Sequence, residues 1–210
     1  MEFSIEDIVE DLTDLDLAIL QLLHAGDNEA LKGKVAFQKE MFLIADYIDK
    51  IREQAEFIPH TFGPYSEAAE NEMRNLRSIG LVKEKDHEYC ITPTGVAALS
   101  KAKPAFSDEE IEAIQDYKKF LNDLSQDELL IFTYVSYPEF KEESAVYDRV
   151  IRKRIPTAIS LYKKGKVSLE KAAFLAGLPA EKFLDRILTT QLTTTRQRSS
   201  SRSQVHGCQN

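Results

Sequence analysis

Apolar residues recur along this chain mostly at helical spacing, with one short stretch that alternates. Leu15, Ile19, Leu22 and Leu23 fall at i, i+4, i+7 and i+8, which predicts an amphipathic helix ending near Gly26. Phe37, Met41, Ile44, Ile48 and Ile51 predict a second helix over residues 34–51. Two prolines and a glycine punctuate residues 57–65, which read as a loop. Ser66 then caps a third helix that buries Ala69, Met73 and Leu76 and stops at Gly80. Residues 81–85 and 88–92 flank Asp86-His87, the pattern of a β-hairpin. Thr92 as cap and Pro93 in the first turn start a further helix through Val96 and Leu99. Three helices, a two-stranded ribbon and a closing helix predict a winged helix-turn-helix domain over residues 1–103.

Beyond it, Ser107-Asp108-Glu109-Glu110 and Ser125-Gln126-Asp127-Glu128 are capping boxes. They open two helices of a helical connector, residues 104–143. The first has Ile111, Ile114, Tyr117 and Leu121 as its apolar positions; the second has Leu129, Phe132 and Val135 and ends before Pro138. From Ser144 the apolar positions Val146, Val150, Ile151, Ile155, Ile159 and Tyr162 support helix, with Pro156 a kink or break. Residues 168–184 carry a Ser168 cap, paired alanines, an Ala176-Gly177-Leu178 turn and Pro179 opening another helix. That is helix-turn-helix character, and residues 144–188 form the C-terminal segment. Residues 189–210 hold nine Ser or Thr and four Gln and read as a disordered tail. The fold class expected is mainly α.

Charge changes this picture more than composition does. The net charge is −8, but residues 1–100 carry 20 acids against 9 bases, residues 101–143 carry 11 against 5, and residues 144–210 carry 4 against 13. Duplex DNA is held largely by neutralising phosphates, so phosphate contact is expected from the last third. Arg149, Arg152, Lys153, Arg154, Lys163, Lys164 and Lys166 form a run without any acid, extended by Lys171, Lys182 and Arg186. The alternative is pairing of this run with the acidic middle of the chain or with an acidic partner. In the winged domain, Asn71, Arg74, Asn75 and Arg77 are the outward residues suited to reading base edges, and Lys83 and Lys85 of the hairpin could touch backbone. Glu67, Glu70 and Glu72 on the same helix would repel phosphate, and a solvated or protein-binding face is the competing reading. The five aromatics Phe37, Phe42, Tyr47, Phe57 and Phe62 are expected in the core.

Catalysis is not expected. The four histidines are scattered, Cys90 and Cys208 have no metal-ligand spacing, and no phosphate loop, nucleophile elbow or dinucleotide fingerprint occurs. No cofactor or metal is expected. The acidic start Met1-Glu2-Phe3-Ser4 and the absence of a long apolar run lead to the expectation of a cytoplasmic protein away from membranes.

Lys34-Val35-Ala36-Phe37-Gln38-Lys39, followed by Phe62-Gly63-Pro64-Tyr65, resembles the Panacea antitoxin domain, in which such a helix precedes a Gly-Pro turn opening the next helix. Over residues 15–100 the resemblance implies neutralisation of a toxin protein, and it implies no catalytic residue. Tyr65 after the Gly-Pro pair departs from the pattern. Residues 168–184 are similar to small prokaryotic antitoxin-like helix-turn-helix proteins. The function expected is a homodimeric prokaryotic transcriptional regulator binding double-stranded DNA. The alternative is an antitoxin or adaptor whose winged domain binds a toxin or another protein partner.

Overall fold

The computed structural model describes residues 4–190, in two compact units, Met1–Val150 and Ile151–Asn210. The fold is mainly helical. Unit 1 begins with α1 (Ile5–Glu10), a short helix outside the expected set, capped by a Ser4–Asp7 capping box. A second capping box, Thr13 with Asp16, starts α2 (Asp14–Asn28). Its regular turns stop at Gly26, where φ is +63° and the two following residues also take positive φ.

The expected helix over 34–51 is two helices, α3 (Gly33–Tyr47) and α4 (Asp49–Ala55). Ile48 separates them in an extended conformation that keeps its side chain in the core. The break loses little hydrogen bonding. The Ile48 amide still donates to Ile44 O, while Ile48 O accepts from Ile51 and Arg52. Helix α5 (Glu67–Ser78) lays Ala69, Met73 and Leu76 against α2 and α3, as its spacing requires.

Strands β1 (Val82–Lys85) and β2 (Glu88–Ile91) pair antiparallel, with Val82 opposite Ile91 and Lys85 opposite Glu88. Asp86 and His87 both have positive φ, as a two-residue hairpin turn demands. Leu31, in the α2–α3 connection, exchanges two 2.9 Å backbone bonds with Tyr89, so β2 is paired on both edges there. Helix α6 (Pro93–Lys101) follows, capped by Thr92.

Helices α7 (Asp108–Leu121) and α8 (Gln126–Ser136) start at the two capping boxes. Helix α7 packs on α2 and α3, and its Ile114 belongs to the same core. Helix α8 buries Leu130, Ile131, Thr133 and Tyr134 besides Leu129, a wider face than Leu129, Phe132 and Val135 suggest. A 3₁₀ turn (Pro138–Lys141) and α9 (Tyr147–Ile151) close the unit. Unit 2 holds α10 (Arg154–Lys163), α11 (Leu169–Ala176) and α12 over residues 180–190. The helical break falls at Arg152–Lys153, and Pro156 sits inside the first turn of α10, where its missing amide costs no bond.

One feature of unit 1 runs against its apolar patterning. Nine consecutive residues of α3, Phe37 to Ala45, are buried, and Gln38, Lys39 and Glu40 are among them. Glu40 is fully buried, as is Lys118 on the apolar stripe of α7. Neither the Glu40 oxygens nor Lys118 Nζ has a hydrogen-bond partner. Burial pushes the Glu40 carboxyl up and the Lys118 amine down, while each charge partly offsets the other's shift. Lys118→Met alone is therefore expected to cost up to about 3–5 kcal/mol where Glu40 must ionise, and less at lower pH, where it is neutral. In that variant the native state holds a Glu40 proton that the unfolded chain releases, so stability should fall as pH rises from about 5 to about 8. Glu40→Leu with Lys118→Met should recover wild-type stability and lose that slope. Urea unfolding across this pH range measures both, and a destabilised double variant would refute the assignment.

Candidate nucleic-acid interface

The approach to α5 is fixed from α3. Gln38 Nε2 donates to Ser66 O at 3.0 Å, and the Ser66 amide donates to Gln38 Oε1 at 2.8 Å. Ser66 Oγ donates to Ala55 O and accepts from the Ala69 amide at 2.9 Å, capping α5. Lys39 Nζ donates to Pro64 O at 2.8 Å. Gly63 has φ of +86°, and a Cβ there would stand 3.0 Å from the Tyr134 ring. Gln38, Lys39, Gly63 and Pro64, four of the residues that carry the resemblance, thus form a buried latch with Ser66 between α3 and the loop opening α5.

From this latch α5 projects Asn71, Arg74, Asn75 and Arg77 to solvent. Arg77 pairs with Glu84 of β1 at 2.7 Å and lies over the Tyr89 ring. Arg74 donates to Asn71 Oδ1 at 3.1 Å and lies 4.0 Å from Glu70, while Asn75 donates to Glu72 at 3.0 Å. All four predicted base readers are held by neighbouring side chains of unit 1. Arg74, Arg77 and Lys83 meet in an open recess of about 580 Å³ that Ser78, Thr92 and Glu84 also line. Lys85 is exposed near the hairpin tip and is not part of that recess.

In unit 2, α11 ends at Gly177, whose φ is +68°, with the Leu178 amide bonded to Ala173 O at 3.0 Å. Arg154 closes the same helix end: Nε donates to Leu175 O at 2.8 Å and Nη2 to Phe174 O at 3.2 Å. A Cβ at Gly177 would come within 2.6 Å of this guanidinium. Arg154 is therefore engaged in the turn between α11 and α12, a role its place in a basic run does not reveal.

Lys163, Lys164 and Arg186 converge on one recess of about 500 Å³, with Ser160 and Thr190 beside them and Ile155, Pro156 and Ile159 along its apolar side. Lys182 is exposed on α12, Lys171 stands over the Phe174 ring at 5.1 Å, and Lys166 is half-buried. Arg152 and Lys153 are exposed ahead of α10. Arg149 belongs to unit 1, 3.7 Å from Asp127. Thr189 and Thr190, assigned to a disordered tail by composition, lie in α12 and donate to Asp185 O and Arg186 O at 2.8 Å. The rest of that tail, residues 191–210, lies outside the described residues.

No three His, Cys, Asp or Glu side chains among the described residues are grouped to hold a metal ion. None of the described helices is long and apolar enough to cross a membrane. No protein-family model matches the sequence, and no curated protein is significantly similar to it.

The latch has a measurable pH signature. Burial pulls the Lys39 amine down to about 7, so above that pH the native state gives up a proton that the unfolded chain keeps. Stability should consequently gain a rise with pH from about 7 to about 10, and Lys39→Met should reduce that rise. Gln38→Leu, which orphans the buried Ser66 amide while the Ser66 carbonyl keeps the Glu70 amide at 3.2 Å, should cost about 1–3 kcal/mol and speed amide exchange over residues 58–66.

Proposed function

We propose that the chain is a non-enzymatic DNA-binding transcriptional regulator of prokaryotic type, cytoplasmic and homodimeric, whose grip on DNA lies in unit 2. The observation that carries this reading is the convergence of Lys163, Lys164 and Arg186, with the hydroxyls of Ser160 and Thr190, on one recess. Cations and hydroxyls on one surface are what a phosphate backbone engages. Residues 151–210 hold 12 bases against 3 acids, which favours the encounter at long range. In this reading α11, the Gly177 turn and α12 form the helix-turn-helix, and Lys182 on α12 faces the groove. Three helices and the β1–β2 ribbon in unit 1 fit a winged helix, with Arg74, Arg77 and Lys83 as its phosphate-facing residues.

A second reading is favoured by the electrostatics of α5. Residues 1–150 hold 32 acids against 15 bases, and Arg77 is already matched by Glu84 at 2.7 Å. In the adaptor or antitoxin reading, unit 1 binds a protein and only unit 2 meets DNA, a division that the Panacea-like residues would also suit.

Fluorescence anisotropy against the chain's own upstream DNA, with a scrambled duplex and a salt series, separates the two. Lys163→Glu with Arg186→Glu should weaken binding at least about tenfold and lower the salt slope by about two in either case. Unchanged affinity in that variant would falsify the assignment of the grip to unit 2. Arg74→Glu with Arg77→Glu should weaken binding and relax sequence preference if α5 reads bases. Under the adaptor reading it leaves both unchanged.

A further inference from the structure

On the side of α5 nearest α1 there is a recess of about 280 Å³, below the size of ordinary small-molecule sites and large enough for one long side chain. Its floor is apolar, made by Ile8, Leu12, Leu76 and Ile79, and Ile79 is 47% exposed at its edge. Its rim is acidic: Asp7, Asp11, Asp16 and Glu72, with no lysine or arginine among the lining residues. Asp16 is only 6% exposed and accepts from the Thr13 amide at 3.0 Å and from Thr13 Oγ at 2.7 Å. Burial, and then the neighbouring Glu72 charge, push its carboxyl up, as expected for two carboxylates that share a site without a cation.

We propose that this recess accepts an arginine side chain presented by a partner protein. The aliphatic stem lies along Ile8, Leu12, Leu76 and Ile79, and the guanidinium meets the carboxylates of Asp16 and Glu72. The choice follows from charge and shape together. A phosphate backbone is repelled by the rim. An aliphatic residue alone would desolvate carboxylates without pairing them. A compact ammonium lacks the planar fork that can bridge two carboxylates. The inference rests on the adaptor reading of unit 1 and names the chemistry its partner must bring.

The test is a methyl and amide NMR titration of the full chain with N-acetyl-arginine methylamide, compared with its neutral isostere, the citrulline compound. Saturable shifts at Ile8, Leu12, Leu76 and Ile79, about tenfold weaker with citrulline, are expected. Glu72→Gln should weaken the arginine compound by a similar factor, and Glu72→Lys, which supplies the recess with its own cation, should abolish its binding. Equal binding of the two compounds, shifts elsewhere, or no saturable shift in the folded wild-type chain overturns the recess while leaving the adaptor reading intact. Repeating the titration with the upstream duplex present tests that reading separately: displacement of the probe by DNA would place DNA on this side of α5 and remove both.

Discussion

The start of α5 and the docking face of α7 both meet three consecutive polar side chains buried in α3. Such groups persist in an interior only where the surroundings answer them, because each left unanswered costs free energy comparable to a large fraction of a domain's stability. Gln38 and Lys39 are answered by backbone groups of the loop opening α5, while Glu40, without a hydrogen-bond partner, has its burial only partly offset by Lys118 on α7. One helix thereby sets where α5 begins and where α7 docks. An all-apolar α3 would pack at least as tightly and would specify neither.

The same helix bears on how the two functional readings divide the molecule. Gln38 and Lys39 aim α5, but α5 arrives at the surface with its cations matched by Glu70 and Glu84. Engaging phosphate there means exchanging an internal partner for an external one, so the net gain is small. In unit 2, Lys163, Lys164 and Arg186 line one open recess. On α5 the carboxylates placed beside the cations matter as much as the cations themselves, and a count of cations alone misses them.

Local signals were legible in the sequence, and distant ones were not. Ser66, Thr92, Ser107, Ser125 and Ser168 cap the helices their patterns announce, since a cap is decided within four residues. The hairpin was legible for the same reason. The break at Ile48 was not, because Met41, Ile44 and Ile51, at i−7, i−4 and i+3, continue a helical stripe through it and only the core decides that the chain must bend. Nor was the role of Arg154, whose acceptors lie 20 and 21 residues away at the end of another helix. Gln38-Lys39-Glu40 carried one readable warning: three polar residues inside Val35-Ala36-Phe37 and Met41-Phe42-Leu43 have no face on which to escape.

The contact at Gly95 bears on how this surface can change over time. A Cβ there would lie 2.2 Å from Leu81 O, and that carbonyl also accepts the Thr92 amide at 2.9 Å. Backbone rests on backbone at the base of the hairpin, so the ribbon's pose on α6 is set by atoms every residue shares, apart from one obligatory glycine. Lys83 and Lys85 stand outside that contact. A lineage could rewrite the ribbon's outward residues again and again, trading one partner for another, while the scaffold beneath registers no change.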